Sequence, residues 1–201
     1  MAFESKIKTI EWADDVSRMV DQRILPKEFK LVDIKTTEEM YFAIKDMIVR
    51  GAPAIGIAGA HGVSLSALEL AKMTQDRNTF LTKLKEKAEY LKSSRPTAVN
   101  LMWAVDKQMD LALKTEGNVE DIKNALIENG IKLENEDIEI NKRMGDYGAE
   151  VVPKGATILT HCNAGALATV GYGTALGVIR SAYAKDPTIK VFADETRPRQ
   201  Q

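Results

Sequence analysis

Apolar and polar residues alternate through the first 36 positions, as in KTIEWADD and KLVDIKT. A period of two predicts short strands, and turns at Asp14-Asp15 and Pro26-Lys27 would fold them into a small N-terminal sheet. The period then lengthens. Thr37, followed by Glu38 and Glu39, opens a helix with acids in its first turn. Met40, Ile44, Met47 and Ile48 carry its apolar face, and Gly51 ends it. Residues 52–72 predict a second helix, with Pro53 in the first turn. Gly56, Gly59 and Gly62 recur along one side of that helix. Each costs about 1 kcal/mol against alanine, so something must approach that side closely. A neighbouring helix would do so, as would a ligand near the helix start, and the two are compatible. A charged amphipathic helix over 76–93 stops at SSRP, Thr97 caps AVNLMWAVDKQMDLALK, and residues 118–144 make one or two helices around Asn129-Gly130.

The pattern changes after Tyr147. ATILT is a short buried-strand run, AGALATVGYGTALGVIRSAYAKD reads as a helix with small residues on its early turns, and TIKVFADE is a second apolar strand. Strand, helix and strand in this order predict a βαβ unit with parallel strands. The fold class is therefore α/β. Residues 1–145 are expected to form a mostly helical domain with a small β-sheet, and 146–201 a βαβ domain, with the boundary between 145 and 155.

Composition narrows the function. In 201 residues, 28 basic side chains nearly cancel 29 acidic ones, which argues against nucleic acid or a membrane surface as a general partner. The N-terminus MAFESK leads into no apolar stretch of secretory length, and no apolar run is read as approaching the roughly 18 residues of a membrane span. The expected location is cytoplasmic. A single cysteine excludes an internal disulfide and a cysteine-rich zinc site.

That cysteine, Cys162, stands between His161 and Asn163 at the end of a predicted strand. Ligands of βαβ units sit at the carboxyl ends of strands, so Cys162 and the stretch Asp194 to Arg199 should face one crevice. A dinucleotide site fails on spacing. Gly171 and Gly173 fit G-x-G-x-x-G, but the third glycine position is Leu176, and the motif begins about nine residues too late for a phosphate turn. A His161–Cys162 nucleophilic pair is also disfavoured, because adjacent strand residues point to opposite faces. A lone buried cysteine is commonly inert packing; the strand-end position beside Asn163 and Gly165 makes this one a candidate for chemistry. His61, on a helix of small residues, reads as a hydrogen-bonded interior histidine. Arg50 in VRGAPAIG and Arg95 in SSRPTAVN each precede a helix, where guanidinium groups and free N–H groups together suit phosphate. DETRPRQQ adds Arg197 and Arg199 at a strand end.

The stretches IVRGAPAIG, SSRPTAVNL, THCNAGALATVGYGTALGVIR and VFADETRPRQQ together resemble the methylthioribose-1-phosphate isomerase family. The resemblance runs from KTIEWADD to the last residue. The wider family includes ribose-1,5-bisphosphate isomerase and the non-catalytic regulatory subunits of a translation initiation factor's exchange factor, which bind a sugar phosphate or nucleotide. The resemblance implies that 146–201 begins a Rossmann-like parallel α/β domain, left incomplete. It also implies that Arg50, Gly51 and Ala52 bind substrate, that Arg95 contacts the phosphate end, that Gln201 binds substrate, and that Cys162 is the catalytic thiol at the reacting carbons. The implied reaction turns a 5-methylthio aldose 1-phosphate into the ketose in methionine salvage, with no metal or organic cofactor, in a homodimer. Family members continue past ETRPRQQ to an aspartate acid and an Asn-Lys pair. The expectation is a truncated chain that lacks useful isomerase activity alone.

Overall fold

The computed structural model describes residues 8–196. The chain opens with an antiparallel sheet of β1 (Ile10–Ala13), β2 (Val16–Val20) and β3 (Leu31–Ile34). Ile10 lies opposite Met19, and Met19 opposite Val32, so one face of the sheet feeds the core through Ile10, Met19 and Ile34. Asp14 and Asp15 take φ of 52° and 59°, the left-handed pair that a tight hairpin needs.

Helix α1 (Thr37–Lys45) is capped by Thr36, whose side chain accepts from the Glu39 amide, one residue before the expected start. Thr37 instead donates its amide and hydroxyl to Glu69, at 2.9 Å each. The helix stops at Lys45 rather than Gly51, because Met47 turns left-handed and returns the Ile48 amide to the Ala43 carbonyl.

Helix α2 (Ala52–Ala71) is the axis of the molecule, packed by α1, by α3 (Arg77–Ser93), by α4 (Val99–Lys114) and by α5 (Val119–Val151). Its length and composition would suffice to cross a membrane, which corrects the reading that no run reaches that size; 83% of its apolar window is buried inside the protein. This is a core helix surrounded by other helices. Its three glycines are explained by those neighbours. A Cβ on Gly56 would meet Asn100 at 3.2 Å, one on Gly59 would meet Leu101 at 2.7 Å, and one on Gly62 would meet Leu91 at 2.9 Å.

One further expectation changes, and one open alternative closes. Thr97 does not cap α4; Ala98 occupies that position without a side-chain hydrogen bond, and its amide closes a turn onto the Arg95 carbonyl. Of the one or two helices expected over 118–144, the structure has one. A capping box at Asn118 and Asp121 starts one 33-residue helix, and it passes through Asn129-Gly130 unbroken because Gly130 lets His61 and Ser64 come within 3.3 Å of where its Cβ would be.

Strands β4 (Thr157–Thr160) and β5 (Lys190–Ala193) pair in parallel, with Thr160 opposite Ala193. Between them α6 (Ala175–Lys185) rests on α5. The helix expected from residue 164 onward therefore starts only at Ala175. Residues 163–174 instead form a loop containing one 3-10 turn, Ala166–Ala168. Gly173, at φ 96°, lies so close that its Cβ would stand 2.8 Å from the Gly165 carbonyl carbon. The small residues make room for the chain to fold back on itself.

Candidate functional site

Cys162 lies just past the end of β4 in a left-handed bend, φ 69°, and is exposed. It borders a crevice of about 500 Å³ together with Thr160, Asn163, Arg180 and Asp194. The carboxyl ends of the two parallel strands thus share one opening, as βαβ geometry requires. His161 turns towards Asp194, with its Nδ1 2.7 Å from Asp194 Oδ2. Strand alternation does not govern this pair, because β4 stops at Thr160 and Cys162 lies in the left-handed bend beyond it.

The loop after Cys162 is held from outside as well as within. The Ala164 carbonyl accepts from the amides of Thr174 (2.9 Å) and Leu176 (3.2 Å). Thr9 donates its amide to the Val170 carbonyl at 2.7 Å and its hydroxyl to the Ala166 carbonyl at 2.8 Å. Gln22 Nε2 donates to the Leu167 carbonyl at 2.9 Å. From α5, Asp137 Oδ2 accepts the Val170 amide at 2.7 Å. Burial raises the Asp137 carboxyl above the usual range, and the hydrogen bonds from Val170 and Asn141 work against that rise. Because Val170 is fully buried, Asp137→Ala leaves its N–H without a partner. The expected result is a stability loss of about 1–3 kcal/mol, with amide exchange accelerated chiefly in residues 164–174. An exchange map unchanged in that loop would contradict this assignment.

Gly51 joins the arginine loop to this structure. At φ 96° it presses so closely that its Cβ would stand 2.3 Å from Ala168 Cα. Arg50, Gly51 and Ala52 therefore sit against the turn that follows the thiol, with Arg50 itself half-buried. Arg95 is half-buried in the turn before α4, which reaches α2 through Asn100 and Gly56. Neither Arg50 nor Arg95 lines the Cys162 crevice. A second cavity, about 300 Å³, lies where the starts of α2 and α4 meet α5, with Pro53, Asn100, Asp137 and Thr174 in its wall. Arg197, Arg199 and Gln201 lie outside the described residues.

Asp137, Thr160 and Arg180 escaped the sequence reading. Asp137 is one acid among many in ENEDIE, and Arg180 looks like a surface charge on α6. Arg180 Nη1 in fact donates to the Tyr172 carbonyl at 2.9 Å, and burial lowers its pKa. Among the described residues, no three His, Cys, Asp or Glu side chains gather closely enough to hold a metal ion.

Residues 48–201 match the sequence profile of the Initiation factor 2 subunit family. The chain belongs to that family. Its relatives include the methylthioribose-1-phosphate isomerase of Thermoanaerobacter sp. (strain X514), 52% identical over 198 residues that cover 98% of this chain and 56% of that protein. The isomerase of Thermosipho africanus is 51% identical over 96% of this chain and 55% of its own length. Among solved structures, 5-methylthioribose 1-phosphate isomerase from Pyrococcus horikoshii OT3 matches with a TM-score of 0.86 and 45% identity, over 96% of this chain and 54% of that one. Subunit delta of translation initiation factor eIF-2B from A. fulgidus matches at 0.83 and 43%, over 96% and 56%. The chain spans a little over half the length of the curated relatives it matches. Its mixed α/β architecture is that of this family.

Proposed function

We propose that this family member carries the thiol-bearing part of an aldose–ketose isomerase that converts 5-methylthioribose 1-phosphate to 5-methylthioribulose 1-phosphate in methionine salvage. The names of relatives near 50% identity across almost the whole chain support this reading. One geometric observation carries it to the residues: Cys162 opens into a strand-end crevice, and Gly51 of the arginine loop is seated on the loop that follows the thiol.

In this reading residues 1–145 form the helical domain and 146–201 the start of the Rossmann-like one. Arg50 and Arg95 bind the phosphate as charge-assisted donors, Gly51 and Ala52 offer backbone groups, and Gln201 binds substrate. Phosphate on the anomeric oxygen blocks the simple ring opening of a free sugar, so the ring oxygen must be protonated. Hydrogen must then leave C2 and arrive at C1, whether as a proton through an enediol or as a hydride. Cys162 acts beside those two carbons. The enzyme works in the cytoplasm on a small phosphosugar, as a homodimer.

A second reading is a regulatory relative that binds a sugar phosphate or nucleotide without catalysis; the likeness to the A. fulgidus subunit favours it. Iodoacetamide modification of Cys162, followed by mass spectrometry, separates the two. The isomerase reading expects saturating 5-methylthioribose 1-phosphate to slow modification about tenfold while adenosine monophosphate has no effect. Protection by the nucleotide alone supports the regulatory reading, and protection by neither sinks both.

A further inference from the structure

Two polar groups beside the thiol lack a hydrogen-bond partner among the described residues. The Thr160 hydroxyl and the Asn163 Nδ2 are buried and, among the described residues, find no hydrogen-bond partner. Thr160 is 7% exposed. The main chain of Thr160 is committed to the sheet, where its carbonyl accepts the Asp194 amide at 3.3 Å, so only its side chain is left over. Both residues wall the crevice that holds Cys162, one on each side of His161 and the thiol in sequence. An unpaired buried polar group costs about 1–3 kcal/mol, and buried polar atoms are rarely left so. A valine in place of Thr160 would fill the same space at no such cost. Orphaned donors lining an opening are donors reserved for what enters it.

We infer that Thr160 and Asn163 are substrate-contacting residues, whose free N–H and O–H groups bind sugar oxygens of the phosphosugar at the Cys162 crevice. The inference rests on the isomerase reading, since it takes the ligand's chemistry from there. A polyhydroxylated ligand suits the pair: the hydroxyl both donates and accepts, whereas the carboxamide nitrogen only donates. Neighbouring Arg180 and Asp194 border the same opening, so the crevice offers charged and neutral contacts together.

The test is calorimetric titration of the chain with 5-methylthioribose 1-phosphate, paired with thermal melts. Thr160→Val and Asn163→Leu are each expected to weaken binding about 5- to 10-fold. Thr160→Val should melt at or above the wild-type temperature, because it removes an unsatisfied group, and Thr160→Ser should retain affinity. Wild-type binding with unchanged affinity in both variants overturns the inference while leaving the isomerase reading intact. Absence of saturable binding by the wild type removes the reading itself, and the inference with it. Loss of affinity accompanied by a lower melting temperature in both Thr160→Val and Thr160→Ser would mark a structural role and also count against it.

Discussion

Gly51→Ala is expected to destabilise the protein by roughly 3–5 kcal/mol, measured as a shift of the urea midpoint. Two effects add. An L side chain at φ 96° is strained, and the new Cβ would stand 2.3 Å from Ala168 Cα and 2.5 Å from the Ala168 carbonyl oxygen. Those are backbone atoms, so no rotamer change can relieve the contact. One segment or the other must move. The segment that moves is the 163–174 loop or the arginine loop itself, and either displacement separates Arg50 from the thiol's surroundings. The variant should therefore also change the rate at which iodoacetamide modifies Cys162. A loss below 1 kcal/mol with an unchanged modification rate would mean that the two loops are not in contact.

Acidification from pH 7 to 4.5 is expected to lower stability by about 2–3 kcal/mol through His61 alone. The imidazole is fully buried on α2, with Nδ1 3.0 Å from Ser17 Oγ and Trp12 packed edge-on against the ring. Burial is the main cause that lowers its pKa to about 3; the Gly130 carbonyl opposes the shift and the Lys8 charge adds to it. Glu134 Oε2 lies 3.8 Å from Nε2, but that carboxylate already accepts Lys8 Nζ at 2.7 Å and the Trp12 amide at 2.9 Å. Its field is largely spoken for. In the unfolded chain the histidine titrates near 6.5, so below that pH the unfolded state takes up a proton that the folded state refuses. Stability is then present in full above about pH 6.5 and falls as the pH drops towards 3. Burial raises the Asp137 carboxyl above the usual range, an effect of opposite sign on stability, so the histidine's share is read from the difference between wild type and His61→Gln. His61→Gln should flatten the slope there. A wild-type slope that survives the substitution would assign the proton to another group.

The strand-end crevice was legible in part, one residue at a time. Cys162, Arg50 and Arg95 were picked from residue type and position, and the crevice at the strand ends follows from the βαβ rule. The partners that hold the site were not legible. Asp137 meets Val170 across 33 positions, and Gln22 meets Leu167 across 145. No local pattern encodes such pairs, because a hydrogen bond between distant segments depends on where helices dock rather than on the spacing of either segment.

The same division runs through the fold. Hydrophobic period alone determined the hairpin sheet, the run of helices and the parallel strand pair, since local alternation decides which face of each element avoids water. Three things were decided only in three dimensions: the unbroken course of α5 through Gly130, the late start of α6, and the neighbours that the glycines of α2 admit. Each turns on a close approach between elements far apart in the chain. A glycine in the sequence records only that a side chain is missing. What fills the space is settled when the helices pack.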